Sequence, residues 1–253
     1  MNLSTLLEER AADGHPVRIG LIGAGKFGSM VLAQARHIAG LHVVGIADLD
    51  VEKARASLAR VQWDEEQFSA GTLDAAVSSG ETCVTDDTAD LFACSEIEVV
   101  IEATGHPIAG VRHALAAIDA GKHVVMVNVE ADVMCGPALA ERARKAGVVY
   151  SMAYGDQPAA ICELVDWVHS CGFELVAAGK GMNFCPGYRY STPDTVWDYF
   201  DFTEEQVNSG DFNPKMYNSF TDGTKAAIEM AAVANATGMD CPSDGLAFPP
   251  AGL

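Results

Sequence analysis

Short apolar runs alternate with amphipathic segments through the first 152 residues of the chain. Each apolar run is nearly continuous, which is typical of a parallel strand buried on both faces, and each following segment has the periodicity of a helix. The pattern predicts strands over residues 17–22, 42–47, 82–85, 97–102, 122–127 and 148–152. Strands that alternate with helices in this way predict an α/β fold, a doubly wound parallel sheet of the Rossmann type.

The alternation ends after residue 152, where we place a domain boundary. We predict a dinucleotide-binding domain over residues 1–152 and a smaller α+β region over residues 153–253, whose part in substrate binding and dimerisation is implied by the family resemblance given below. The second region contains a further predicted strand, 173–178, an irregular aromatic-rich segment, 182–214, and an alanine-rich helix after Gly223. The aromatic content of the irregular segment favours an ordered loop.

Composition narrows the classes of partner. The chain has 253 residues, 49% of them hydrophobic, which is enough to fill a core. Its formal net charge of −19 argues against nucleic acid and anionic membranes as partners, so a small-molecule substrate is expected. The seven cysteines form no C-x-x-C pair, which argues against a disulfide framework or a zinc cluster and predicts a reducing, cytoplasmic setting. We find neither a signal peptide nor a membrane-spanning stretch.

A glycine loop follows the first predicted strand and opens a helix, in the sequence GAGKFG. In a strand–turn–helix context this spacing predicts a cradle for the pyrophosphate of a dinucleotide. Asp48 lies 20 positions after Gly28, at the end of the second strand, where a carboxylate binds the adenosine ribose. Lys53 and Arg55 follow closely, so NAD and NADP both remain open as the cofactor. The candidate cofactor-binding residues of the loop are Gly23, Ala24, Gly25, Lys26, Phe27 and Gly28.

Polar residues also follow the fourth and fifth predicted strands. Ligands of doubly wound sheets bind beyond the carboxyl ends of the strands, so Thr104, Gly105 and Asn128 are candidates for binding the nicotinamide end of the cofactor. Glu130 has two interpretations. It either binds a substrate hydroxyl, a proton or a metal ion, or it stabilises the N-terminus of the helix that follows. His106 is interpreted as the cap of its own helix.

Three charged residues of the second region are candidates for catalysis. Lys180 lies between two glycines after the predicted strand 173–178, which suits an anion or carbonyl site. Asp222, Lys225 and Glu229 are three and four positions apart and are predicted to share one helical face. An exposed ion-pair ladder is the alternative. Because the surrounding residues are mostly apolar, we take Lys180, Asp222 and Lys225 as groups that polarise a substrate and transfer protons, and Glu130 as an orienting residue.

Several of these motifs together resemble the homoserine dehydrogenase-like oxidoreductases, a family that also includes the second type of 1-deoxy-D-xylulose 5-phosphate reductoisomerase. The segments that carry the resemblance are IGLIGAGKFG, VVIEATGHP, HVVMVNVEADV, GDQPA, AAGKGMN and NSFTDGTKAAIEMAAVANATG. The resemblance implies a Rossmann domain followed by a substrate and dimerisation region, hence a homo-oligomer. DGTK matches the substrate segment of homoserine dehydrogenases only loosely, and the chain is shorter than the family's usual length, so we expect it to lack the C-terminal SAF domain.

The function predicted from these observations is NAD(P)-dependent hydride transfer to or from a small hydroxylated or phosphorylated substrate, an oxidoreductase acting on CH–OH groups. One alternative is a sugar-phosphate reductoisomerase, in which a divalent metal ion chelates vicinal oxygens. Another is a dinucleotide-binding protein without catalytic activity, or a truncated fragment.

Overall fold

The structure is a computed structural model that describes residues 2–181, 185–208 and 213–245. Parts of the predicted irregular segment, 182–184 and 209–212, lie outside the described residues. The chain divides into two compact units, Met1–Ala153 and Tyr154–Leu253. Every helix among the described residues is too short or too polar to cross a membrane.

The first unit contains a parallel sheet of six strands in the order β3-β2-β1-β4-β5-β6. The order reverses between β1 and β4, so the Rossmann prediction is confirmed. The strands are β1 (Val17–Ile22), β2 (Leu41–Ala47), β3 (Cys83–Thr85), β4 (Val99–Glu102), β5 (His123–Met126) and β6 (Tyr150–Met152). The helices are α1 (Leu3–Ala12), α2 (Lys26–Ala35), α3 (Val51–Arg60), α4 (Leu73–Ser79), α5 (Thr88–Ala93), α6 (Pro107–Asp119) and α7 (Val129–Ala146), with a 3₁₀ turn at Glu65–Phe68.

Alternate residues of the strands pack into two separate hydrophobic clusters. Leu21 belongs to a cluster with side chains of α2 and α3, whereas Ile22 belongs to a cluster with side chains of α6 and α7. Successive side chains of a strand point to opposite faces, so each face of the sheet has its own helical cover. Burial of both faces explains why the strands are nearly continuous apolar runs in the sequence.

The regular elements among the described residues of the second unit are all helices. It contains α8 (Gln157–Ser170), α9 (Glu204–Asn208), α10 (Pro214–Thr221) and α11 (Thr224–Thr237), and α11 packs on α8 and α10. The strand predicted over residues 173–178 is wrong, because this segment is irregular. A strand is stabilised by hydrogen bonds to a neighbouring strand, and the described part of this unit provides no such neighbour.

Aromatic contacts order the described part of the irregular segment. It contains 3₁₀ turns at Pro186–Tyr190 and Val196–Tyr199. The Tyr217 ring of α10 lies 5.2 Å from Trp197 and 5.2 Å from Phe200, measured between ring centroids. Such contacts stabilise aromatic pairs beyond simple burial, so the rings add to the hydrogen bonds of the 3₁₀ turns in ordering this loop.

The first turn of α7 carries a buried acid. Asp132 is 5% exposed, and its Oδ1 accepts a hydrogen bond of 2.8 Å from the Tyr150 hydroxyl. Burial raises the pKa of Asp132, an effect that the Tyr150 hydrogen bond partly opposes. Burial also raises the pKa of Tyr150, and the nearby Asp132 carboxylate adds to this. The folded chain therefore binds the proton of Asp132 more tightly than the unfolded chain does.

This arrangement predicts a pH-dependent effect of Asp132→Asn. The pKa of Asp132 is 3.8 in the unfolded chain and higher in the folded one. The free energy of unfolding therefore decreases as the pH rises from 3.8 through the higher pKa of the folded state, because the buried carboxyl group must then ionise. The neutral asparagine does not titrate, so the variant should gain stability relative to the wild type across this window. Denaturant unfolding at several pH values measures the difference. Substitution of the exposed Asp86 by Asn is the control, and a difference for Asp132→Asn that is constant with pH would contradict the prediction.

Candidate functional site

The glycine loop joins β1 to α2, and two of its glycines are required by the fold. Gly23 has a φ of +95°, and a Cβ at this position would lie 2.9 Å from the carbonyl carbon of Ala103. A Cβ on Gly28 would lie 2.2 Å from the carbonyl oxygen of Gly23. Gly23 therefore lets the loop meet the end of β4, and Gly28 lets α2 approach the turn closely.

Gly25 has no comparable structural role. Its φ is −67°, and a Cβ there would have no neighbour within 4 Å in the part of the chain that the structure describes. It caps α2, whose exposed first residues Lys26 and Phe27 carry backbone N–H groups that lack intrahelical acceptors. Open space beside the N-terminus of a helix is the environment in which a phosphate binds, and a glycine keeps that space clear.

Asp48 contacts the same loop. Its Oδ2 accepts a hydrogen bond of 2.7 Å from the backbone N–H of Ala24, and its Oδ1 accepts one of 3.0 Å from Asp50. Asp50 in turn caps α3 through Lys53, as predicted. The structure thus brings together the loop and the acid that sequence spacing assigned to one cofactor site. Their roles in binding stay predictions.

Arg55, a candidate for favouring NADP, is engaged elsewhere. Its guanidinium donates a hydrogen bond of 3.2 Å to the Phe68 carbonyl oxygen and lies 5.9 Å from the centre of the Phe68 ring. A cation in such contacts is held against the 3₁₀ turn at Glu65–Phe68.

The turn after β4 is anchored by a buried acid that the sequence analysis missed. The Glu102 side chain is fully buried, and its Oε1 accepts a hydrogen bond of 2.5 Å from the Thr104 hydroxyl and lies 3.1 Å from His113 Nδ1. Thr104 and Gly105 themselves are exposed. His106 caps α6 by accepting a hydrogen bond from Ala109, as predicted. The signal for Glu102 was an acid at the end of an otherwise apolar run.

Asn128 follows β5 and is only 2% exposed. Its Oδ1 caps α7 by accepting a hydrogen bond of 3.2 Å from Ala131. Neither Asn128 Nδ2 nor Glu102 Oε2 has a hydrogen-bond partner among the described residues. A Cβ on Gly110 would lie 2.8 Å from the former atom and 3.1 Å from the latter. A buried donor and a buried acceptor are thus available near the same glycine, which suits a polar ligand group or an ordered water.

Glu130 lies in the first turn of α7 and is half-buried. This position suits the stabilisation of a helix N-terminus, which was one of its two predicted roles. Its role as an orienting residue stays a prediction.

In the second unit, Glu229 is the centre of a cluster of charges. Its side chain is 4% exposed and forms ion pairs with Lys180 and, at 3.5 Å, with Lys225. The Lys180 ammonium also donates a hydrogen bond of 2.7 Å to Gln157 Oε1 at the start of α8. Burial of Glu229 argues against the exposed ion-pair ladder, because a desolvated carboxylate needs the charges that surround it.

Asp222 does not share the helical face of Lys225 and Glu229, so that part of the prediction is wrong. Asp222 is the C-cap residue that follows α10, and α11 begins only at Thr224. Its Oδ2 accepts a hydrogen bond of 2.9 Å from Asn218, and its Oδ1 accepts one of 2.8 Å from the Thr224 backbone. Both oxygens therefore fix the turn between the two helices. The carboxylate that pairs with Lys225 is that of Glu229, one turn away on the same alanine-rich helix.

A cavity of about 340 Å³ adjoins this cluster within the second unit. Lys180, Lys225 and Gln157 line one part of it. The remaining wall includes four aromatic side chains, those of Tyr188, Tyr199, Phe200 and Phe220. The cavity combines charged and apolar surfaces, which is typical of small-molecule sites.

Two protein-family models match the chain. The model for the NAD-binding domain of homoserine dehydrogenase matches residues 19–152, and the model for the catalytic domain of oxidoreductase DRL matches residues 155–253. The chain belongs to the homoserine dehydrogenase NAD-binding domain family. The predicted resemblance is confirmed, and the family is one of NAD-binding oxidoreductases. No curated protein sequence matches the chain significantly.

Solved structures are similar to the chain at low sequence identity. A homoserine dehydrogenase from Thiobacillus denitrificans is 20% identical with a TM-score of 0.59, and the match covers 89% of this chain and 50% of that one. An NAD-binding oxidoreductase from Klebsiella pneumoniae is 23% identical with a TM-score of 0.44, covering 62% and 39%. The chain thus spans half or less of the length of these two proteins.

Removal of the Glu229 charge should destabilise the second unit. In Glu229→Gln two ammonium groups lose their shared carboxylate, which we expect to cost about 3 kcal/mol, a typical loss when one partner of a buried ion pair is removed. Adding Lys180→Met should recover part of this loss, because one of the two uncompensated charges is then gone. A double-mutant cycle by denaturant unfolding measures the coupling. Glu204→Gln, an exposed change on α9, is the control. Strictly additive effects of Glu229→Gln and Lys180→Met would count against the shared ion pair.

Proposed function

We propose that this protein is an NAD(P)-dependent oxidoreductase that transfers a hydride to or from a small hydroxylated or phosphorylated substrate. Membership of an NAD-binding oxidoreductase family supports the proposal. The observation that carries it is Gly25, a glycine that neither backbone strain nor packing requires, beside the N-terminus of α2. The cofactor pyrophosphate would bind there, against the N–H groups of Lys26 and Phe27.

NAD is the favoured cofactor. The Asp48 carboxylate is fixed by two backbone N–H groups and offers oxygens to a ribose, whereas a 2′-phosphate would meet its negative charge. Of the two cations that could offset this charge, Arg55 is held by Phe68, and Lys53 is exposed on α3. Thr104 and Gly105, which are exposed after β4, suit the nicotinamide end of the cofactor. Asn128 stays a candidate by its place after β5, where its buried side chain caps α7 and shapes the turn.

The bound nicotinamide group would accept or supply the hydride. The protein must then stabilise the substrate oxygen as its proton leaves or arrives. Lys180 and Lys225 suit this task, because an ammonium beside an oxygen stabilises developing negative charge where water is excluded. Glu229 holds both ammonium groups and is a positioning residue. Asp222 has a smaller part in this proposal than its spacing predicted, since both of its oxygens hold a turn.

The reductoisomerase alternative has weaker support. A metal ion that chelates vicinal oxygens needs carboxylates free to coordinate it. Glu229 is engaged by two lysines and Asp222 by a turn, which leaves Glu130 as the candidate metal ligand. The other alternative is a protein that binds a dinucleotide without catalysis. Experiment distinguishes it from an enzyme, because it predicts cofactor binding without turnover of any substrate.

Gly25→Ala tests the cofactor site. The added methyl group enters open space, so the free energy of unfolding should change by less than about 1 kcal/mol. It would occupy the space of the phosphate, so the affinity for NADH should fall at least tenfold, as judged by fluorescence titration, with a factor of ten equal to about 1.4 kcal/mol. Gly71→Ala is the matched control, because a Cβ at Gly71 is also free of neighbours within 4 Å and Gly71 lies outside the loop. Unchanged NADH affinity in Gly25→Ala would overturn this cofactor site.

Asp48→Asn tests cofactor preference. The asparagine retains the shape of the side chain and removes the charge that opposes a 2′-phosphate. We expect the ratio of NADPH to NADH affinity to rise by roughly tenfold or more, in line with the loss of one charge repulsion. Titration with both cofactors measures this ratio. Asp50→Asn, which keeps an oxygen for capping α3, should leave the ratio unchanged. A ratio that does not move in Asp48→Asn would show that the carboxylate does not select the cofactor.

A further inference from the structure

We propose that Thr104 presents only an acceptor oxygen to the cofactor and so selects the amino group of the nicotinamide carboxamide, and that the buried Glu102 is the positioning residue that imposes this polarity. The inference rests on the proposed function, because it assigns one part of that same cofactor site. A threonine hydroxyl is both a donor and an acceptor of hydrogen bonds, so its place in the sequence does not fix which ligand group it binds.

The first argument is the use of the hydroxyl hydrogen of Thr104. This O–H group donates to Glu102 Oε1 over a distance of 2.5 Å. An O–H donor and an ionised carboxylate are typically about 2.5–2.7 Å apart. The hydroxyl hydrogen of Thr104 is therefore already engaged inside the protein, and only lone pairs of its oxygen remain for a ligand.

The second argument is the direction of the bond between Thr104 and Glu102. A carboxylate can only accept a hydrogen bond, whereas a protonated carboxyl group can also donate one. Donors surround the buried Glu102 side chain. His113 Nδ1 lies 3.1 Å from Oε1, and Asn128 Nδ2 and Oε2 both lie beside Gly110. Donors around a carboxyl group favour its ionised form, so the hydroxyl donates and the acid accepts.

The third argument is the lone pair that remains on Thr104 Oγ1. This oxygen accepts one hydrogen bond, of 3.3 Å, from the backbone N–H of His106. A hydroxyl oxygen has two lone pairs, so one is left. Thr104 is exposed, and a Cβ on Gly23 would lie 3.0 Å from its backbone nitrogen, so the residue adjoins the glycine loop. Its free lone pair is thus available to a donor group of a bound dinucleotide.

The carboxamide amino group is the donor of the nicotinamide end that gives this contact a role in the reaction. A hydrogen bond to this group fixes the rotation of the carboxamide and helps to hold the ring that exchanges the hydride in one orientation. The ribose hydroxyls are also donors. The two sources are separated by a cofactor analogue that changes the carboxamide alone.

Calorimetric titration of the whole chain with NADH and with reduced 3-acetylpyridine adenine dinucleotide tests the inference. In the second ligand a methyl group replaces the amino group of the carboxamide. We expect the wild type to bind NADH about fivefold more tightly than the analogue, the effect of one hydrogen bond. Thr104→Val should reduce this preference to roughly twofold or less, because valine has no acceptor. Thr104→Ser should retain the preference.

Glu102→Gln tests the positioning role. A side-chain amide has a donor for Thr104 Oγ1, which releases the hydroxyl hydrogen toward the ligand. The preference for NADH should then fall to roughly twofold or less, although Thr104 itself is unchanged. A role in stability alone would leave the preference as it is. Thermal unfolding verifies that each variant is folded, and the variants of the exposed Thr104 test the inference even if Glu102→Gln does not fold.

Thr85→Val is the matched control. The Thr85 hydroxyl at the end of β3 also donates to a carboxylate, that of Asp90, and its oxygen also accepts a hydrogen bond from the backbone two residues later, at Asp87. Loss of this hydroxyl should leave the preference for NADH at the wild-type value.

An unchanged preference in Thr104→Val would overturn the inference, and a parallel loss of both affinities would assign the Thr104 oxygen to the ribose instead. A preference retained in folded Glu102→Gln would overturn the positioning role. Failure of the proposed function has a different result, since the wild type would then bind neither NADH nor the analogue.

Discussion

The first unit depends on the close approach of helix α2 to the turn that follows β1. A side chain at Gly28 would meet the carbonyl oxygen of Gly23 at 2.2 Å, and one at Gly23 would meet Ala103. β1 lies between β2 and β4, where the strand order reverses. The close approach of Gly23 to Ala103 joins the two halves of the sheet at this point. The same contact leaves Gly25 free at the N-terminus of α2, where an anion is stabilised.

A different constraint organises the second unit, the need to compensate a buried carboxylate. Glu229 forms ion pairs with Lys180 of an irregular segment and with Lys225 of its own helix. Lys180 also donates a hydrogen bond to Gln157 of α8. One buried charge thus connects three parts of the unit, and the two ammonium groups line its cavity.

Buried polar groups lie beneath the ends of β4 and β5. Glu102 holds Thr104, and Asn128 caps α7, so both turns are shaped from within by side chains that solvent does not reach. Each of these two residues retains one polar atom without a protein partner among the described residues. Desolvated groups of this kind are costly unless a water or ligand satisfies them. A Cβ on Gly110 would lie 2.8 Å from Asn128 Nδ2 and 3.1 Å from Glu102 Oε2, so a glycine is needed where α6 packs against them.

The sequence by itself determined the Rossmann sheet, because strands buried on both faces and helices with one buried face leave local periodicities. It also determined the glycine loop, the caps at Asp50 and His106, and the association of the loop with Asp48, since each depends on short spacings or on strand ends. Tertiary structure alone decided that 173–178 forms no strand, because a strand needs a neighbour that the local sequence does not contain. It also decided that Glu229 rather than Asp222 joins the lysines, since a helix boundary two residues after Asp222 separates side chains that regular helical spacing would have aligned.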